Sequence, residues 1–166
     1  MKENQKVLVK NLTNHEVGFK CINFPVVYNF NPDQTIGVKW EHLEDASYSR
    51  GMRYMLTNGI LKIDPKNENY SEIMDELQLS DLKEKVDNSL SYGEAKKLLS
   101  VTPIQINYAI IKKHLETGTI TTKQNIASAA IELGIKDYTL NDLIKKATNI
   151  DVIKTLELNK APEKEE

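Results

Sequence analysis

The 166-residue chain is poor in cysteine, glycine, proline and arginine, and each shortage removes a class of protein. Cys21 is the only cysteine, so an intramolecular disulfide is impossible and a thiolate zinc site would lack its partners. The fold must rest on packing. No window of about 18 apolar residues occurs, and MKENQKVLVKNL has no apolar stretch behind its charges; neither a membrane span nor a secretion signal is expected. The 7 glycines are scattered, with none of the spacing that cradles phosphates in a nucleotide loop. Basic and acidic residues number 22 and 24, so the net charge of -2 gives no global field toward nucleic acid or an anionic bilayer. Any such binding must be local.

What is present is an ordinary soluble composition, 40% hydrophobic and 28% charged, sufficient for one domain or two small halves. Charge divides the chain: residues 1–63 carry 8 basic and 6 acidic groups, residues 64–90 carry 3 and 8, and residues 91–150 carry 8 and 5. We therefore expect a small β-rich module over residues 1–63, an acidic linker and connecting helix over 64–90, a helical bundle over 91–155, and a charged flexible tail over 156–166. The fold class is α+β.

Within the first segment, Lys6 to Leu12 alternates as K-V-L-V-K-N-L. After the polar turn Thr13 to Glu16 comes VGFKCI, which predicts a hairpin between these two runs. Strands at Val26 to Phe30 and Thr35 to Trp40 follow, separated by Asn31-Pro32-Asp33-Gln34. From Glu41 the pattern turns helical, with Gly51 read as a bend between two short helices. Asn58-Gly59 supplies a positive-φ stop before a closing strand at Ile60 to Ile63. Tyr70 to Leu79 reads as the connecting helix. Four helices are then expected: Tyr92 to Val101, Pro103 to Leu115, Thr122 to Leu133 and Leu140 to Val152. Their punctuation is Thr102-Pro103, Gly118, Thr121 or Thr122, Gly134, and Thr139 with Asp142.

Among chemically active residues, His15, His42 and His114 have no mutual ligand spacing, and Cys21 in a strand reads as a small hydrophobe. Glu41, Glu44 and Asp45 could divide acid and base work but more simply complement a helix dipole. We expect no catalysis, no cofactor, no metal and no small-molecule substrate. Gly93 to His114 resembles a helix-turn-helix, in which Lys96, Lys97, Gln105, Asn107, Lys112 and Lys113 would meet DNA. Yet this stretch has no arginine to read guanine, and its isoleucines suit a core, so nucleic acid is the alternative rather than the first choice. The densest cluster of interface-type residues is Tyr48-Ser49-Arg50-Gly51-Met52-Arg53-Tyr54. Its arginines could instead pair with Glu41, Glu44 or Asp45. As an interface it would offer Tyr48, Arg50, Arg53 and Tyr54, with a free sheet edge as a second route to a partner.

The order KVLVKN, VGF, FNPDQTIGVKWEHLEDASY and SRGMRYMLTNGILKI resembles a family of small, uncharacterised virion-associated structural proteins of tailed bacteriophages of low-GC hosts. The likeness covers residues 6–63. It is carried by Gly51, Arg53, Tyr54, Asn58 and Ile60 to Ile63, with Gly51-Met52 standing where the family shows two glycines. The resemblance implies a non-enzymatic virion structural or assembly protein. Its partners would be other virion or assembly proteins, with self-association open, and its place the virion or the host cytoplasm during assembly.

Overall fold

A computed structural model describes residues 4–160 and is α+β, with strands and two short helices first and a helical array after them. The alternation in β1 (Lys6–Asn11) does what period-two patterning requires: Val7, Val9 and Asn11 point inward, and Lys6, Leu8 and Lys10 outward. β1 is the central strand of an antiparallel sheet, between β4 (Thr35–Lys39) and β5 (Leu61–Ile63). The register sets Val7 against Val38 and Val9 against both Ile36 and Ile63. β2 (Val17–Lys20) pairs instead with β3 (Val27–Phe30) in a separate two-stranded sheet.

The expected hairpin between the first two strands is therefore absent, for a physical reason. Both edges of β1 are already paired, and the buried Asn11 side chain turns the chain away. Its amide donates to the carbonyls of His15, Phe30 and Asn31, and its oxygen accepts from the Thr13 amide and hydroxyl. This polar staple ties the end of β1 to the end of β3, joining the two sheets.

Trp40–Ser47 forms α1 and Arg50–Thr57 forms α2. The break falls at Tyr48-Ser49 rather than at Gly51, because Ser49 is extended and its hydroxyl caps the Met52 amide at 3.1 Å. Gly51 lies inside α2, exposed. Gly59 does take the positive φ (73°) expected of it, returning the chain into β5. α3 (Tyr70–Glu76) was expected to connect the halves, but it completes the first core: Tyr70, Ile73, Met74, Leu77 and Leu79 pack with Phe30, Trp40, Leu43 and Met52. A 3-10 turn at Ser80–Leu82 and α4 (Lys83–Asp87) lead onward.

The second core lies among α5 (Tyr92–Leu99), α6 (Tyr108–Thr117), α7 (Ile120–Glu132), α8 (Tyr138–Thr148) and α9 (Val152–Leu158). α5 opens with a capping box between Ser91 and Glu94. Pro103 precedes a 3-10 turn at Ile104–Asn107 rather than opening the α-helix, so α6 begins only at Tyr108. Thr119, one turn earlier than Thr122, caps α7, and Asp137 rather than Thr139 caps α8. The expected fourth helix is two. Asn149 turns left-handed (φ 61°), Asp151 caps a new helix, and the Asn141 side chain accepts the Val152 amide at 2.7 Å. Of the expected tail, residues up to Leu158 belong to α9, and residues 161–166 lie outside the described ones. No helix among the described residues is long and apolar enough to cross a membrane.

Candidate functional site

The α1–α2 corner places the Tyr48 to Tyr54 cluster in two different environments. Helical spacing puts Arg50, Tyr54 and Thr57 on one outward stripe of α2, while Met52 and Leu56 on the opposite side are buried. Tyr48, the residue that ends α1, is 76% exposed, and Tyr54 is 59% exposed. Gly51, one helical turn before Tyr54, leaves the stripe low, since a Cβ built there would touch nothing within 4 Å. Tyr48 at the end of α1 and Arg50 and Tyr54 on α2 are thus all exposed around one helix corner, with open space over Gly51.

Arg53 is not part of that surface. Its guanidinium donates to the carbonyls of Leu77 and Gln78, where α3 ends and Gln78 takes a positive φ of 56°. A cation on the last carbonyls of a helix meets the negative end of its dipole. Arg53 therefore locks α2 to α3 and holds the tyrosine-bearing face in place.

Two of the three acids expected as arginine partners, Glu41 and Asp45, are committed elsewhere. Glu41 lies 3.8 Å from Lys39 and 3.7 Å from His42. Asp45 is buried against the β2–β3 connection, where it accepts the Ile22 amide at 2.5 Å, the Asn23 amide at 3.0 Å and the Asn23 side-chain amide at 2.5 Å. Burial works to raise its pKa, but these hydrogen bonds outweigh it and hold the carboxyl below the usual range. His42 is buried with its Nδ1 2.8 Å from the Tyr28 hydroxyl, and the Cys21 thiol, 3.6 Å from the His42 carbonyl, is pushed up by burial and then by the Asp45 charge. Among the described residues no group of three metal-ligating side chains forms.

The residues of the DNA alternative separate. Asn107 is buried and its side-chain amide donates to the Leu98 carbonyl at 2.8 Å, bracing the turn between α5 and α6. Lys96 is bonded to Glu132 at 2.9 Å. Lys97, Gln105, Lys112 and Lys113 are exposed, with Lys112 3.8 Å from Glu116.

Two features had not been singled out from the sequence. Ile106 (64% exposed), in the 3-10 turn, and Ile110 (49%), in the first turn of α6, lie four residues apart and face solvent, although the sequence pattern assigns isoleucines there to the core. Ile110 borders a groove of about 540 Å3 that runs between α6 and the 81–88 segment, with Asp81, Glu84, Lys85, Lys113 and His114 along it. Burial, with Lys113 beside it, lowers the His114 pKa. Their signal in the sequence was the i, i+4 isoleucine pair, which looks the same whether it faces a core or solvent. The second feature, a lysine-lined recess on the sheet, depends on strand register. No family model, curated protein or solved structure matches the chain.

Proposed function

We propose that this is a non-enzymatic binding module, a structural or assembly protein of a phage particle that docks on a protein partner through Tyr48, Arg50 and Tyr54. The observation that carries the reading is the exposure of both tyrosines at one helix corner that also carries Arg50, an arginine with no ion pair among the described residues. Tyr and Arg dominate interface hot spots because each brings large contact area and directional hydrogen bonding at modest entropic cost. The resemblance of residues 6–63 to virion-associated phage proteins supplies the setting, virion or host cytoplasm during assembly, and virion or assembly proteins as partners. Ile106 and Ile110, on a different half of the molecule, would form a second contact, so the module would bridge two components.

The test is the amount of this protein retained in purified particles assembled with wild-type chain or with Tyr48→Ala/Tyr54→Ala. We expect at least a tenfold loss of incorporation with an unchanged melting temperature. Full incorporation of the double variant would refute the docking face. An Arg53→Ala variant is expected to lose stability as well as incorporation, since it releases α3. The DNA alternative predicts duplex affinity that falls steeply with salt and depends on Lys97, Lys112 and Lys113, read by a salt-titrated binding assay.

A further inference from the structure

The outward face of the three-stranded sheet carries a charge pattern that works against its own stability. Lys6 stands directly opposite Lys39, and Lys10 directly opposite Lys62. Like charges facing each other across an antiparallel pair are destabilising. The other outward positions of these pairings are Leu8, Thr35 and Gly37, so every charged side chain there is a lysine.

The two ends of this face differ in shape. The Lys10–Lys62 end sinks into a recess of about 200 Å3, walled also by Lys66, Leu12, Asp64, Pro65 and Glu94. That is room for one tetrahedral oxyanion and a few waters, each water taking about 30 Å3 of liquid volume. Neutralisation inside the recess is incomplete. Lys10 is 3.8 Å from Asp33 and 3.9 Å from Glu94, beyond hydrogen-bonding reach of either. Lys62 donates its ammonium to a neutral group, the Asp87 carbonyl, at 3.0 Å. The Lys66 ammonium has no partner among the described residues. The nearby carboxylates are partly spent on backbone amides, Asp64 on that of Lys66 at 2.9 Å and Glu94 on that of Ser91 at 2.7 Å.

We propose that this recess binds a phosphate dianion, free or as a monoester, between the ammonium groups of Lys10, Lys62 and Lys66. A doubly charged oxyanion would relieve the Lys10–Lys62 repulsion and give Lys62 and Lys66 a directly bonded charged partner, which neither has among the described residues. The face offers no aromatic side chain on which bases could stack, which disfavours single-stranded nucleic acid. Lys62 is half-buried; burial and then Lys10 press its pKa down, while Glu94, Asp87 and Asp64 act the other way. An anion bound there would raise that pKa, so affinity should fall as the solution becomes alkaline enough to discharge Lys62. Asp64 and Glu94 in the wall, with Asp33 3.8 Å from Lys10 just outside it, offset most of the charge of the three ammonium groups, which keeps the site weak, with Kd on the order of 1 mM.

The experiment is an amide-resolved NMR titration of the full chain at constant ionic strength, with inorganic phosphate and glycerol 2-phosphate as separate ligands and chloride as the balancing salt. We expect saturable shifts at Lys10, Lys62 and Lys66, weakened about tenfold in Lys62→Gln and in Lys66→Gln, and unchanged in Lys39→Gln. Tighter binding of glycerol 2-phosphate would identify the monoester as the ligand form, and tighter inorganic phosphate the free ion. Lys66 is exposed, so its variant reads the site even if Lys62→Gln fails to fold. Shifts that never saturate, an equal loss in Lys39→Gln, or response only to an oligothymidylate added as a phosphodiester control would each overturn the proposal.

Discussion

Phe30, Trp40, Leu43, Met52 and Met74 fill the first core, whereas the second is floored by Ala95 of α5 and Ala127, Ala129 and Ala130 of α7. Large, shape-specific side chains hold sheet against helix in one half; small ones let two helices approach closely in the other. Between the cores the join is polar. The Leu12 carbonyl accepts the Tyr92 amide at 2.9 Å and the buried Asn125 side-chain amide at 2.7 Å, and Asn125 also reaches the Leu90 carbonyl at 3.0 Å. The Gly93 amide is bonded to Asp33 at 3.0 Å, and the Leu90 amide to the Thr122 hydroxyl at 3.0 Å. Apolar packing makes each half compact, and directional hydrogen bonds fix how the halves meet.

That contrast sets the order of expected losses. Phe30→Ala should cost most, about 4 kcal/mol, because Phe30 is fully buried and its ring lies 6.0 Å from that of Phe19. Ala129→Leu should cost about 2 kcal/mol by the opposite route, overpacking a site with no spare volume. Urea denaturation of both variants decides the matter; a well-tolerated Ala129→Leu would show that the helical core is looser than its burial suggests. Asn125→Ala should also cost about 2 kcal/mol, by removing the side-chain donor to the Leu90 carbonyl and one of the two donors to the Leu12 carbonyl. It should also speed amide exchange at α5 and α7 more than at β1, since only the seam is cut.

A smaller, pH-dependent loss should appear in the first half through Asp45. Asp45 has a folded pKa below its unfolded value, so the stability it adds is fully present above the unfolded pKa of about 3.9 and disappears as pH falls through the lowered folded value. Denaturation at pH 6 and pH 3 should therefore show an acid-induced loss in the wild type that is reduced in Asp45→Asn. An equal acid loss in both would mean that the Ile22 and Asn23 hydrogen bonds are made as well by the neutral form.

These distinctions were unevenly visible in the amino-acid order. Alternation in Lys6 to Asn11 identifies which residues turn inward, because pleating fixes that locally, but not which strands flank it. The pairing of β1 with β4 and β5 depends on the Asn11 staple, a long-range hydrogen-bond set with no periodic signature. Likewise Ile73, Met74, Leu77 and Leu79 mark an apolar helix face without naming the core that it joins. The split at Asn149 was hidden by Ile150 and Val152, which continue the apolar pattern across a left-handed residue. At the docking face, residue type pointed to Tyr48, Arg50 and Tyr54. It misplaced Arg53, whose partners are backbone carbonyls that no charge pattern reveals. The Lys10–Lys62 opposition exists only once β1 and β5 are in register.

The smallest expected effect on folding carries the most information about function. Tyr54 lies on the outward stripe of α2, and the bond that ends the helix there, from the Asn58 amide to the Tyr54 carbonyl at 3.0 Å, uses backbone that survives substitution. Tyr54→Ala should therefore change stability by less than about 0.5 kcal/mol, as surface substitutions away from special features do. Met52, two residues earlier and fully buried, provides the internal contrast: Met52→Ala should cost about 3 kcal/mol. If Tyr54→Ala destabilised comparably, the ring would be serving the fold and the docking face would shrink to Tyr48 and Arg50. If it leaves the melting temperature in place while removing the chain from assembled particles, the energy of that ring is spent on a partner, and the two sides of one short helix divide cleanly between folding and binding.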